Sequence, residues 1–281
     1  MMRSGETGKL RLAALALAAL TLAGCESSGM TPGRAPQFAE VHPDDPAAAK
    51  SNIDSLSEVI RRSPSAEAYL TRGNAYARNG RFQEAIGDFS AAIKLDPNNA
   101  AAFTNRALAE RQTGANDAAL QDFNRAISVN PRHASAYLGR ANLLRAQGNL
   151  DQALGDLDQA IKLNPESAQA FHARGLIYQR RGEQQRAVTD FDNAIDRDPF
   201  AAAPYQARGE SLVQLGKYDK AIEDFNAALN VDNRNANGWA GLGVAYEKQG
   251  NRMKAVESYQ RALGLDPNNS VARAGASRLR A

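Results

Sequence analysis

One stretch of this chain is written six times over. Residues 66–99 read AEAYLTRGNAYARNGRFQEAIGDFSAAIKLDPNN, and steps of 34 residues from Ala66 land on Ala100, Ala134, Ala168, Ala202 and Ala236 without insertion or deletion until Asn269. With each copy numbered 1 to 34, position 15 is Gly throughout, from Gly80 to Gly250. Position 20 is always Ala (Ala85 to Ala255), as is position 27 (Ala92 to Ala262), and position 8 is Gly or Ala. Position 4 is always aromatic: Tyr69, Phe103, Tyr137, Phe171, Tyr205 and Trp239. Pro closes each copy at position 32 except where Asn233 replaces it. A fixed period of this length means a solenoid, in which one unit buries its apolar face only against its neighbours.

Each recurring residue has a physical cause. Positions 2–14 and 18–30 are rich in the helix formers Ala, Leu, Gln, Arg and Glu. Gly at 15 stands where the first helix must stop in a left-handed conformation. Pro at 32 lacks an N–H and ends the second helix. Small residues at 8, 20 and 27 let the helices approach closely, and aromatics at 4 and 24 fill the layer between neighbours. The pattern resembles the tetratricopeptide repeat over 204 residues, six copies of 34. That resemblance implies an all-α fold, a right-handed α-solenoid of six helix-turn-helix repeats (66–99, 100–133, 134–167, 168–201, 202–235 and 236–269). A capping helix is expected before them at 47–65, with Ile53, Leu56, Val59 and Ile60 on one face, and another after them at 270–281.

The N-terminal part is of a different kind. Residues 1–24 carry a short basic start (Arg3, Lys9, Arg11) and an apolar run from Leu12 to Ala23. The run is too short to span a bilayer as a helix and has the pattern of a secretory signal. It ends in Leu22-Ala23-Gly24-Cys25, which resembles a bacterial lipobox. The resemblance implies cleavage before Cys25 by signal peptidase II and lipid on its sulfur and amine. The alternative is an ordinary signal with a chance cysteine, but Cys25 is the one cysteine of the chain and stands where the motif requires it. Several acyl chains on one residue anchor a protein stably. Glu26 follows, rather than the Asp that retains enterobacterial lipoproteins in the inner membrane, so the resemblance points to the periplasmic side of the outer membrane. Residues 25–46, rich in Pro, Gly, Ser and Asp, then form a flexible tether.

Removing residues 1–24 takes away three positive charges and one negative, which lowers the formal net charge from +3 to +1. Net charge therefore argues for no nucleic-acid partner. Nor does the chain offer chemistry. His42, His133 and His172 lie far apart in the repeat scheme, so no metal site is expected, and no Gly-rich phosphate loop or G-x-S-x-G is present. Of 18 aromatic residues only Phe38 and Phe200 fall outside positions 4, 11, 17 and 24, which leaves none for an aromatic cofactor box or a base-stacking platform. No catalytic residue and no cofactor are expected, and the chain reads as a non-enzyme.

One departure from the usual repeat carries information. Position 7, commonly Leu in this family, is Arg in five copies (Arg72, Arg106, Arg140, Arg174, Arg208), and position 23 is Asp in the same five (Asp88, Asp122, Asp156, Asp190, Asp224). The sixth copy loses both at once, to Leu242 and Ser258. Joint presence and joint loss predict an ion pair within each copy, in preference to a row of ligand-binding arginines. On the helical period, positions 4, 8 and 11 point to the core, while 2, 5, 9, 12 and 13 point to the face that is the concave groove in this family. That face carries one aliphatic residue per copy, Leu70, Leu108, Leu138, Leu176, Val213 and Val244, with Asn74 and Asn142 among them. Arg78, Arg111, Arg145 and Arg180 run beside them, and Glu210 and Glu247 follow. Apolar side chains on a wet face mark an interaction site, and Arg is favoured in interfaces; the alternative is an ordinary solvated face. The family's carboxylate clamp is not matched, because Asn74 and Asn105 fit it but Leu70, Ser135 and Gly139 stand where it needs basic residues.

The expected partners are therefore proteins, held as extended or helical segments in the groove, and a membrane through the lipid; a homodimer is compatible with such a fold. Lipobox and repeats together resemble outer-membrane repeat lipoproteins of the NlpI kind, which hold cell-wall hydrolases and a processing protease together. The alternative is an assembly factor of the pilotin kind, six-repeat lipoproteins that escort pilus or secretion-system subunits.

Overall fold

The computed structural model describes residues 46–280. The signal, Cys25 and the tether as far as residue 45 lie outside them. The described residues form fourteen α-helices and no strand. A first helix, α1 (Pro46–Arg62), precedes six pairs: α2 (Ala66–Arg78) and α3 (Phe82–Leu95), α4 (Ala100–Gln112) and α5 (Asn116–Val129), α6 (Ala134–Ala146) and α7 (Leu150–Leu163). The series continues with α8 (Ala168–Arg180) and α9 (Gln184–Arg197), α10 (Ala202–Gln214) and α11 (Tyr218–Val231), α12 (Ala236–Gln249) and α13 (Arg252–Leu265), and closes on α14 (Ser270–Arg280). None is long and apolar enough to cross a membrane.

The repeat helices begin one residue earlier than the sequence pattern predicts, and four of the six first helices are capped there. The side chains of Ser65, Asn99, Ser167 and Asn235 each accept a hydrogen bond from the backbone N–H three residues on. That satisfies a free donor of the first turn. At the other end, all six position-15 glycines have φ between +71° and +89°, where a side chain would be strained.

Five of the six helix pairs close on a ring at position 24, and the third closes on Leu157. Phe89, Phe123, Phe191, Phe225 and Tyr259 are all but fully buried. The space for them comes from missing side chains: a Cβ at Gly139 would lie 2.3 Å from Cε1 of Phe123, and one at Gly275 would lie 2.2 Å from Cζ of Tyr259. Beyond its neighbour in sequence, a helix touches only the next but one, and those further contacts all join even-numbered helices. First helices thus approach one another while the odd-numbered helices from α3 onward stay apart, so the stack curves with its first helices on the inner, concave side.

The Arg–Asp pairs form in all five copies, and each is a fork. Arg140 donates from Nε and Nη2 to the two carboxylate oxygens of Asp156, both at 2.7 Å. Arg72, Arg106, Arg174 and Arg208 do the same to Asp88, Asp122, Asp190 and Asp224 at 2.6 to 2.8 Å. Each guanidinium also lies within 5.6 to 5.9 Å of the centroid of its own copy's position-4 ring. A third arm was not foreseen from the sequence. Nη1 reaches back to the preceding second helix, from Arg106 to Ser90, Arg140 to Asn124, Arg174 to Asp158 and Arg208 to Asp192, at 2.6 to 3.0 Å. Arg72 reaches Ser57 of α1 in the same way. These arginines are therefore structural ties between repeats.

Candidate partner-binding groove

Position 5, 9, 12 and 13 side chains of α2, α4, α6, α8, α10 and α12 line the concave side, as the helical period requires. Their depth differs from expectation. Only Leu108, at 36% exposure, is an open apolar residue. Leu70, Leu138, Leu176, Val213 and Val244 are half-buried and pack against the cores of adjoining repeats. The expected row of exposed aliphatics is thus corrected to one exposed leucine and five wall residues. The cause is the inward curve: where first helices touch across repeats, the neighbouring helix covers side chains that an isolated helix would leave wet.

Polar bonds stitch the same floor. Asn105 Nδ2 donates to Asn74 Oδ1 at 2.8 Å, Asn235 to Gln206 at 2.8 Å and Asn269 to Asn237 at 2.8 Å. Gln179 donates to the Ala207 carbonyl at 3.0 Å and to Ser211 Oγ at 3.1 Å. Asn74 is therefore already engaged, whereas the Asn142 side chain has no partner among the described residues.

The four groove arginines contrast with the five structural ones. Among the described residues, the side chains of Arg78, Arg111, Arg145 and Arg180 make no hydrogen bond or ion pair. Arg78 and Arg111 line one cleft of about 410 Å³ with Asn74, Asn105, Leu108 and the edges of Phe82 and Phe89. Arg145 is half-buried, its Nε is buried without an acceptor, and burial together with the charges of Arg180 and Arg111 depresses its pKa. Of the two acids further along, Glu210 is exposed and accepts only from Gln206 at 3.0 Å and Gln179 at 3.5 Å. Glu247 is committed to closing the solenoid. Arg278 of α14 forks onto it at 3.0 and 2.9 Å and Tyr259 donates to it at 2.6 Å, which holds its pKa below the usual carboxylate range.

One titrating residue escaped the sequence reading. Glu110 occupies position 11, where other copies carry Tyr76, Leu144, Tyr178, Leu212 and Tyr246. Its side chain is 12% exposed and lies 3.9 Å from Arg106 Nε, and its Oε2 has no hydrogen-bond partner. Burial, then the Asp122 charge, push its pKa up to about 7 against the pull of Arg106. The folded chain holds this proton more tightly than the unfolded one. The stability it contributes is therefore complete below the ordinary carboxylate pKa and is lost as pH rises towards 7. Glu110→Leu is expected to raise stability at pH 8 by roughly 1–3 kcal/mol and to add far less at pH 4, which paired urea melts at the two values check.

Five models of the tetratricopeptide repeat match residues 53–100, 70–137, 123–155, 141–182, 168–200, 209–250 and 236–269, so that only a short gap near residue 205 interrupts the array. This chain is a tetratricopeptide-repeat protein. Tetratricopeptide-repeat proteins are interaction scaffolds that hold peptides or proteins in a groove. Among solved structures, the APC/C hetero-tetramer Cut9–Hcn1 is similar at a TM-score of 0.72 and 21% identity, covering 83% of this chain and 46% of that one. The chain thus spans about half the length of that relative. PilW, a widely conserved type IV pilus biogenesis factor, matches at 0.67 and 18% identity over 74% of this chain and 97% of its own. YrrB, a TPR protein with an unusual peptide-binding site, matches at 0.57 and 22% identity over 67% and 97%. At these identities the likeness is one of fold. A comparison with curated protein sequences returned no match.

Proposed function

We propose that this protein is a lipid-anchored, periplasm-facing scaffold of the outer membrane that holds a segment of a partner protein in its concave groove. The observation that carries the reading is the division among its arginines. Those at position 7 are all consumed by the fold, while Arg78, Arg111, Arg145 and Arg180 line the groove with no partner of their own among the described residues. Desolvated or crowded guanidinium groups without acceptors favour a bound carboxylate. The lipid anchor rests on Leu22-Ala23-Gly24-Cys25 after an apolar run. Cys25→Ser is expected to leave an uncleaved precursor or a soluble unlipidated form; unchanged membrane fractionation and normal mass maturation would refute the anchor.

The partners proposed are cell-wall hydrolases or an envelope protease, after the lipoproteins of the NlpI kind. A second reading, an assembly factor for pilus or secretion subunits, draws on the match of nearly the whole PilW chain to these repeats. A photo-reactive residue at position 108 in the groove, with one at exposed Met253 on α13 as the control, tests both. Partners crosslinked at 108 and not at 253 support the groove, and mass spectrometry of the adducts separates hydrolases or proteases from pilus or secretin proteins. Identical adduct profiles at the two positions would move the binding surface elsewhere.

A further inference from the structure

The groove changes character along its length. Near its middle, Arg145 is flanked by Arg111 and Arg180 and presents a buried Nε with no acceptor. His172, at position 5 of α8, lies beside Arg145 with its ring 5.8 Å from that of Phe191. Burial, and then the Arg145 charge, hold the imidazole pKa below its ordinary value, which disfavours a further positive charge beside the arginines. Three cations thus face one another with no carboxylate among them. Further on, between α10, α12 and α14, the wall becomes a cleft of about 270 Å³ lined by Val213, Val244 and exposed Val271. The buried ring of Phe225 packs over Gly241 beneath it, and Glu210 is among the residues that line it.

We propose that the groove takes a two-part segment of a partner protein, a short run of carboxylates over Arg145 between Arg111 and Arg180, and an apolar side chain in the Val213–Val244–Val271 cleft. This rests on the groove reading above and says what the groove selects. A carboxylate supplies the acceptor that Arg145 Nε lacks and relieves the repulsion among the three guanidinium groups. The negative run must be short, because Glu210 repels any charge that continues towards α12. That favours an acidic stretch of protein over a nucleic acid, whose charge does not stop. First helices in contact lie roughly 10 Å apart, so the two subsites are separated by roughly 20–30 Å, which an extended segment crosses in about six to nine residues.

The probe is a synthetic peptide of four glutamates, a Gly-Ser spacer of that length and two leucines, labelled with a fluorophore and titrated onto the full chain. Arg145→Gln is expected to weaken binding roughly tenfold and, since burial and two neighbouring guanidinium groups disfavour the Arg145 charge, not to lower the melting temperature. Arg180→Gln, at an exposed position, gives a second variant with a loss in the same direction. Replacing the two leucines by serines weakens binding independently, while Arg132→Gln, in an exposed turn, changes nothing. Bound carboxylates raise the His172 pKa, which an NMR titration reads on the resonance that disappears in His172→Gln. The proposal is overturned if Arg145→Gln and Arg180→Gln bind the peptide as the unaltered chain does, or if the His172 resonance titrates identically with and without it. It is equally overturned if an oligothymidine competes more strongly than the unlabelled peptide. Adducts at position 108 that persist beside any of those results leave the groove reading standing and remove only this selectivity; loss of the adducts as well removes both.

Discussion

Asp156→Ser is expected to cost the third repeat more stability than Asp156→Ser combined with Arg140→Leu, roughly 3–4 kcal/mol against 1–2. Asp156 is 7% exposed and takes both of its bonds from Arg140, so its removal strands a guanidinium that also lies under the Tyr137 ring at 5.8 Å. The sixth repeat has already made the double replacement. There Leu242 is 3% exposed within an apolar cluster, and the Ser258 hydroxyl donates to the Lys254 carbonyl. A leucine and a serine therefore fit this environment, whereas half of an ion pair does not. Urea melts of the two single variants and the double one decide the matter, and strictly additive losses would show that the two side chains are not coupled.

Gly139→Ala is expected to destabilise by roughly 1–3 kcal/mol, although alanine is the better helix former. Its methyl group would stand 2.3 Å from Cε1 of Phe123, whose ring has no space to retreat into. Every aromatic at position 24 meets at least one such glycine: Phe89 with Gly73, Phe191 with Gly175, Phe225 with Gly209 and Gly241, Tyr259 with Gly243 and Gly275. The third copy has Leu157 instead of a ring, and its cluster supplies Ala141 and Ala173 rather than glycines. Phe123→Leu should consequently rescue Gly139→Ala and restore most of the lost melting temperature. A double variant that melts no higher than Gly139→Ala alone would mean that the ring contact is not the cause.

Sixfold redundancy made the architecture legible. A glycine or alanine seen once could have many causes, but one recurring at the same place in six copies has to answer to the geometry of the unit. The joint loss of Arg and Asp in the sixth copy likewise exposed the ion pairs before any distance was known. Period, however, gives direction and not depth. It placed Leu108 and Leu138 on one face but did not show that a neighbouring helix half-covers Leu138 while Leu108 stays open. The third arm of each arginine was hidden for a related reason, since its acceptor lies in the preceding copy and changes from Ser90 to Asn124 to Asp158. Glu110 was missed because it occurs once. Reading a repeat means looking for what recurs, so an isolated acid at a core position is what such a reading passes over.

That helices touch only their sequence neighbours and next-but-one neighbours bears on how the chain acquires its shape. No described contact waits for a distant segment, so the loop-closure entropy paid before each new contact is small and the topology favours rapid folding. Each copy has most of what it needs once the following first helix exists. A polypeptide leaving a ribosome or a translocation pore can thus settle in order, about one helix behind the point of emergence, its earliest repeats packed while its last are still to appear.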